Sequence, residues 1–172
     1  LFGDNCAACH GTAAGGGPGY PALTTASYLW GSDPEAIAET IRVGINSSHP
    51  ETRISQMLAF GHDQILPRED IDNVVDFVRS LSAADPAAIA SPEKLAAGAT
   101  IFADTCAACH GEDGRGNIDV GAPDLADAAW IYGGDRKAIF ASVWDGRQGH
   151  MPTWEERLPL VDRKILTLYL DD

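Results

Sequence analysis

The sequence predicts an all-α protein built as two copies of one helical lobe. Three observations carry this. Apolar residues recur at helical spacing, an ordered set of motifs occurs twice, and each copy opens on the same five residues, Cys-x-x-Cys-His, at 6–10 and 106–110.

The repeat extends well beyond that signature. Phe2, Asp4, Cys6, Cys9, His10 and Gly11 line up with Phe102, Asp104, Cys106, Cys109, His110 and Gly111. Gly19, Pro21 and Leu23 line up with Gly121, Pro123 and Leu125, and Leu29-Trp30-Gly31 with Ile131-Tyr132-Gly133. The matches keep their order, so the chain is a duplication: lobe one at 1–84, a small, Pro-containing linker at 85–91, and lobe two at 92–172. Lobes this small bury little surface alone and need a metal, disulfide or cofactor as reinforcement.

Each helix has a local reason. In 67–81, Ile71, Val74, Val75, Val78 and Leu81 recur on one face. Asp33-Pro34 supplies an N-cap and a first-turn proline ahead of Ile37 and Ile41, and Asp135 stands in the same place before Ile139 and Val143. Ser91-Pro92-Glu93 opens a helix carrying Leu95, Ala99 and Phe102, and a last helix covers 160–170. About ten helical residues precede the first Cys of lobe two, against five residues of any kind in lobe one, so the first helix is expected to have lost its beginning. Gly15-Gly16-Gly17-Pro18-Gly19 has no strand before it and no helix directly after it, which speaks against a phosphate-cradling loop.

Composition narrows the classes. Hydrophobic residues make up 45% and charged residues 22%, ordinary for a globular protein. No apolar stretch is long enough to cross a bilayer, and no signal-peptide pattern opens the chain. Twelve basic against 25 acidic residues give a formal charge of −13, which argues against nucleic acid and favours a basic partner surface. Solubility alone accounts for the acidity equally well.

Two thiols separated by two residues reach the two vinyl groups of one porphyrin, and the adjoining histidine then lies under the iron. Cys-x-x-Cys by itself also serves redox pairs and zinc sites. Zinc would have to join Cys6 and Cys9 to Cys106 and Cys109 across the whole repeat and would leave both histidines unexplained. A disulfide within each pair does not require the repeated histidine either. The duplicated signature predicts two covalent c-type haems, with His10 and His110 as axial ligands.

The chain has two methionines, Met57 and Met151, one per lobe and each downstream of that lobe's histidine. They are the expected sixth ligands, each for its own lobe, and Met ligation raises the reduction potential. Their alternative role is core filling. His49, His62 and His150 are rivals; His150, beside Met151, reads as a surface residue near the haem edge. Irons held by His and Met have no open position, which favours electron transfer over a dihaem peroxidase.

With these residues in place, the chain resembles the periplasmic dihaem part of the CcoP (FixP) subunit of cbb3-type cytochrome c oxidases, over essentially its whole length. The resemblance rests on Gly121-Ala122-Pro123-Asp124-Leu125, Trp130 to Gly134, Gly146-Arg147 and Met151-Pro152-Thr153-Trp154. In lobe one it rests on Trp30-Gly31, the run from Thr52 to Met57, and Ala59-Phe60-Gly61. It implies two tandem class I cytochrome c domains joined by a short linker, with Phe2 and Phe102 near Phe77 and Tyr169. It also implies that the Pro21 and Pro123 carbonyls accept the ring N–H of His10 and His110. Trp30, Tyr132, Arg147 and Trp154 would pack around the haem or bond its propionates, unless they are ordinary core or surface. Two residues depart from the family pattern: Leu58 stands where a proline commonly follows the methionine, and His150 where a small apolar residue is usual.

The function the resemblance implies is relay of electrons from a donor cytochrome c, through a monohaem cytochrome subunit, to the oxygen-reducing subunit, with no bond chemistry in this chain. The expected place is the periplasmic side of the bacterial inner membrane, anchored by N-terminal helices outside this sequence. The alternatives are a free c4-like periplasmic shuttle, a dihaem peroxidase, and the haem subunit of a dehydrogenase.

Overall fold

The computed structural model of the chain describes residues 1–25 and 27–171; Ala26 and Asp172, within the expected lobes, lie outside the described residues. The elements are α-helical. Two short turns, α1 (Phe2–Asn5) and α2 (Ala7–His10), carry the first signature. Helix α3 (Pro34–Val43) starts where the Asp33 carboxylate accepts the Ala36 N–H, with Pro34 pre-set in the first turn. Such a cap contributes about 1 kcal/mol. Helix α4 (Arg68–Ser80) follows Pro67, and a short 3-10 turn (Pro86–Ala88) occupies the linker. Helix α5 (Pro92–Ile101) runs through a wide π turn (Phe102–Cys106) into α6 (Ala107–His110), which carries the second signature. Helix α7 (Arg136–Asp145) is capped by Asp135, and α8 (Leu160–Asp171) closes the chain. Among the described residues, extended pairing is confined to isolated bridges.

The lobes of the sequence repeat are not the units of packing. One core gathers Phe2, Ala14, Ile37 and Ile41 from the start of the chain with Trp154, Leu158 and Leu166 from its end. The other gathers Ile71, Val74, Val75 and Val78 of α4 with Phe102, Ile139 and Val143. Helix α8 thus packs on α3, while α4 packs on α5 and α7. The aromatic pairs show the same exchange: Phe2 meets Tyr169 at 5.4 Å between ring centroids, and Phe102 meets Phe77 at 5.3 Å. The second unit is a continuous stretch from Met57 to α7, nested inside a first unit made from both ends of the chain.

The exchange has a backbone cause. The segments after α3 and after α7 cross from one unit to the other and pair on the way. Ile45 and Met151 exchange both backbone hydrogen bonds at 2.9 Å. Met57 donates to the Arg147 carbonyl at 2.8 Å and accepts from the Arg147 N–H at 3.0 Å. Each helix ends on a glycine with positive φ, Gly44 and Gly146, both at 70°. A Cβ on Gly44 would lie 2.3 Å from the Met151 carbonyl oxygen, and one on Gly146 would lie 2.6 Å from that of Met57. Glycine is required at both for conformation and for space.

Helices α4 and α5 approach closely, since a Cβ on Gly98 would lie 2.2 Å from the Asn73 carbonyl oxygen. Ile71, Val74, Val75 and Phe102 are nearly inaccessible, each contributing roughly 1.5–3 kcal/mol by burial. The buried Asp76 carboxylate is satisfied by Arg136 Nε at 2.9 Å, joining α4 to α7.

Candidate functional site

Each Cys-x-x-Cys-His signature folds as a single helical turn ended by a glycine at φ 78°, Gly11 or Gly111. The turn sends the histidine inward: His10 and His110 are both buried. Cys6 and Cys106 face the cores, while Cys9 and Cys109 stay exposed. All four thiols are free, and burial pushes the Cys106 thiol up to about 11.

His10 Nδ1 lies 3.0 Å from the Pro21 carbonyl oxygen and His110 Nδ1 lies 3.1 Å from that of Pro123. A carbonyl only accepts, so Nδ1 carries the proton and Nε2 keeps its lone pair for a metal. Burial holds His110 below the ordinary histidine range, against the pull of the Pro123 carbonyl, and this favours the neutral ring that ligation needs. Behind each proline, Gly16 and Gly116 have positive φ, and a Cβ on either would meet backbone atoms of the proline loop within 2.9 Å.

Opposite His10 stands Met151, not Met57. An apolar cavity in the first unit is lined by Cys6, His10, Leu23, Met151, Trp154 and Leu166. Met57 packs against the second core, as do Cys106, Ala107 and Leu125. The expectation that each lobe supplies its own methionine is therefore corrected: the crossing segments carry Met151 to the unit of His10 and Met57 to the unit of His110. Trp154 likewise sits in the first unit, and Phe60 takes the equivalent place in the second.

The remaining residues divide in the same manner. The Arg53 guanidinium stacks on Trp30 at 5.0 Å and donates to the Ala36 carbonyl at 3.2 Å. That of Arg147 stacks on Tyr132 at 4.6 Å and donates to the Gly146 carbonyl at 3.0 Å. Trp30 Nε1, Arg53 Nε and Arg147 Nε, like Arg163 Nε on α8, are buried with no partner among the described residues. Burial pulls Arg53 below the usual guanidinium range against the attraction of Glu39 and Asp33. A buried donor without an acceptor costs about 1–3 kcal/mol, so these atoms are fit to take an anionic group. Arg53 was not singled out on its own in the sequence, although it stands four residues before a methionine, the same offset as that of Arg147.

His49 is enclosed away from both histidines, with Nε2 at 2.6 Å from a Glu155 carboxylate oxygen, beside Arg42 and Glu51. His62 and His150 are exposed.

The donor set fits a covalent haem: two thiols for its edge, a neutral imidazole and a thioether for its iron, and an apolar wall for its disc. Comparison with known proteins agrees. Residues 1–82 match the family model for cytochrome c, and residues 93–170 match that for cytochrome c oxidase, cbb3-type, subunit III. The chain is 47% identical to the CcoP subunit of a cbb3-type cytochrome c oxidase from Cereibacter sphaeroides, over 99% of this chain and 58% of that protein. It is 46% identical to the FixP subunit from Bradyrhizobium sp. (strain ORS 278), again over 99% of this chain and 58% of the relative. FixP from Azorhizobium caulinodans is 46% identical over 98% of this chain and 56% of its own length. The chain thus spans a little over half the length of these relatives. Its two cytochrome c domains each carry a covalent haem c. The chain belongs to the cytochrome c family, as two tandem cytochrome c domains of the CcoP and FixP kind.

Proposed function

We propose that this chain is the electron-receiving part of a cbb3-type oxidase subunit. It takes electrons from a donor cytochrome c and hands them, through a neighbouring monohaem cytochrome subunit, to the oxygen-reducing subunit, performing no bond chemistry itself. Its place is the periplasmic side of the inner membrane, held there by membrane helices outside this sequence. The names of the relatives favour this over a free shuttle.

The observation that carries the reading is the donor set of each unit: an Nδ1-tethered histidine and a methionine, His10 and Met151 lining one cavity, and Met57 packed against the same core as Cys106 of the His110 signature. A bound haem supplies reversible one-electron chemistry at its iron. The residues do the rest. Pro21 and Pro123 hold the imidazole tautomer, the methionines raise the potential, and Trp154 and Phe60 exclude water from the disc. The acidic surface attracts a basic donor, speeding its encounter at low ionic strength.

An optical spectrum with potentiometric titration of the haem-loaded protein tests this. Two haems per chain, two one-electron steps and a weak sulfur-to-iron band at the red end are expected. Strong cyanide binding by the resting protein at one iron would overturn the electron-relay reading in favour of a peroxidase.

A further inference from the structure

We infer that Trp30 and Tyr132 are positioning residues, each for the histidine of the other half of the repeat. Trp30 braces the loop whose Pro123 carbonyl holds His110, and Tyr132 braces the loop whose Pro21 carbonyl holds His10. The inference rests on the reading of both histidines as haem ligands. It goes beyond that reading, because it makes the hydrogen bond behind each imidazole depend on a ring from the opposite half.

The contacts are reciprocal. Trp30 and Tyr132 occupy equivalent places in the repeat, and so do Gly19 and Gly121. The Trp30 indole lies directly against Gly121, where an added Cβ would overlap the ring. Gly121 also has φ 63°, so neither the space nor the backbone suits a side chain there. In the other direction, the Gly19 N–H donates to the Ile131 carbonyl at 2.9 Å, and Tyr132 Cε1 lies 3.6 Å from where a Cβ on Gly19 would stand. Ser27 Oγ donates to the Asp127 carboxylate at 2.7 Å, fastening the segment that bears Trp30 to the one that follows Pro123. An aromatic of each copy thus meets the equivalent glycine of the other, the pattern of a two-fold interface, here within one chain.

Both loops are stiff enough to pass the contact on. Asn117 and Ala122 exchange both backbone hydrogen bonds at 3.0 Å, and Gly17 and Tyr20 exchange theirs at 3.0 and 2.8 Å. Each braced glycine stands two residues before its proline, whose carbonyl oxygen accepts from the histidine Nδ1. A ring N–H held by a carbonyl makes the imidazole a more basic ligand, and a more basic ligand favours the oxidised iron. A loop freed from its brace holds the ring N–H less well, so the midpoint of that haem rises.

The test uses the intact, doubly loaded protein with isotope-labelled histidine. In the reduced form, the Nδ1–H signals of His10 and His110 are assigned by through-space transfer to Pro21 and Pro123. Trp30→Leu should speed solvent exchange of the His110 Nδ1–H and raise the midpoint of the haem at Cys106 and Cys109, leaving His10 and its haem as in the wild type. Tyr132→Leu should do the reverse. Tyr132→Phe keeps the ring face on Gly19 and should leave both signals unchanged. Trp30→Phe, a shorter ring at the same place, should move the His110 signal in the same direction by less, and it decides the matter where the leucine variant does not load both haems. If each variant changes the histidine of its own half, or both histidines equally, or neither, the cross-bracing is refuted while haem ligation stands. If the wild-type imidazole signals lack the ring-current displacement of an iron ligand, the ligation itself fails.

Discussion

Met151 and Ile45 exchange both of their backbone hydrogen bonds at 2.9 Å, although they come from opposite halves of the repeat. That pair sets the position of Met151 opposite His10, and the Met57–Arg147 pair does the same service for His110. Both pairs depend on the glycines that turn the chain out of α3 and α7.

Gly44→Ala places a methyl against the Met151 carbonyl in a backbone conformation that disfavours side chains. It should cost roughly 1–3 kcal/mol and should weaken the sulfur band of the haem at Cys6 and Cys9. Gly146→Ala should do the same to the haem at Cys106 and Cys109. Chemical denaturation and the red-end absorbance measure the two effects; an unchanged band in both variants would mean that these turns do not position the methionines.

A fragment of residues 57–147 contains a whole packing unit, with Met57, His110 and Arg147. It should take up one haem and display the sulfur band. Residues 1–84, a whole sequence lobe, should take up haem at Cys6 and Cys9 without that band, because Met151 is missing. Absorbance spectra of the two purified fragments check this, and the reverse pattern would restore lobe-wise pairing.

Arg136 donates to Asp76 at 2.9 Å and to Asp72 at 2.8 Å, and burial leaves the Asp76 carboxylate little water. Arg136 itself is partly exposed, which reduces the gain from a fully buried pair. Arg136→Ala should destabilise the protein by about 2 kcal/mol. Urea unfolding followed by helical circular dichroism measures it, and Asp76→Asn with Arg136→Ala should lose less than the sum of the two single changes.

The carboxyls of Glu39 and Glu155 are held below the usual range, Glu39 chiefly by its hydrogen bond from Arg42 and Glu155 chiefly by that from His49. A group with a depressed folded value stabilises the fold above its unfolded value, near ~4.3, and loses that contribution as the pH falls through the folded value. Stability of the wild type should therefore drop on acidification below about pH 4 more steeply than that of a Glu39→Gln, Glu155→Gln variant. Thermal unfolding between neutral pH and pH 3 compares them; parallel curves would show that the cluster contributes nothing.

The duplication, the helix starts and the haem-binding signatures were legible because each is local. Asp33 and Asp135 cap where their positions before Ile37 and Ile139 indicate, and the spacing in 67–81 matches the buried face of α4. The exchange of halves was not legible, for a reason that lies in the duplication itself. Lobe-wise and crosswise pairings place the same kinds of residue in the same surroundings: each unit receives one signature, one methionine and one closing helix either way. Hydrophobic periodicity is identical in both. The choice is made by two backbone turns at Gly44 and Gly146 and by the pairing of two short segments, neither of which leaves a pattern beyond a glycine after a helix.

The nesting of one unit inside the other has a consequence for the order of events during synthesis. As the chain leaves the ribosome, the inner unit is complete once α7 has emerged. Cys6, Cys9 and His10, though made before Cys106, must wait for α8, which follows the whole inner unit, before their pocket has walls. Of the two attachment sites, the one made earlier is thus the one that closes later.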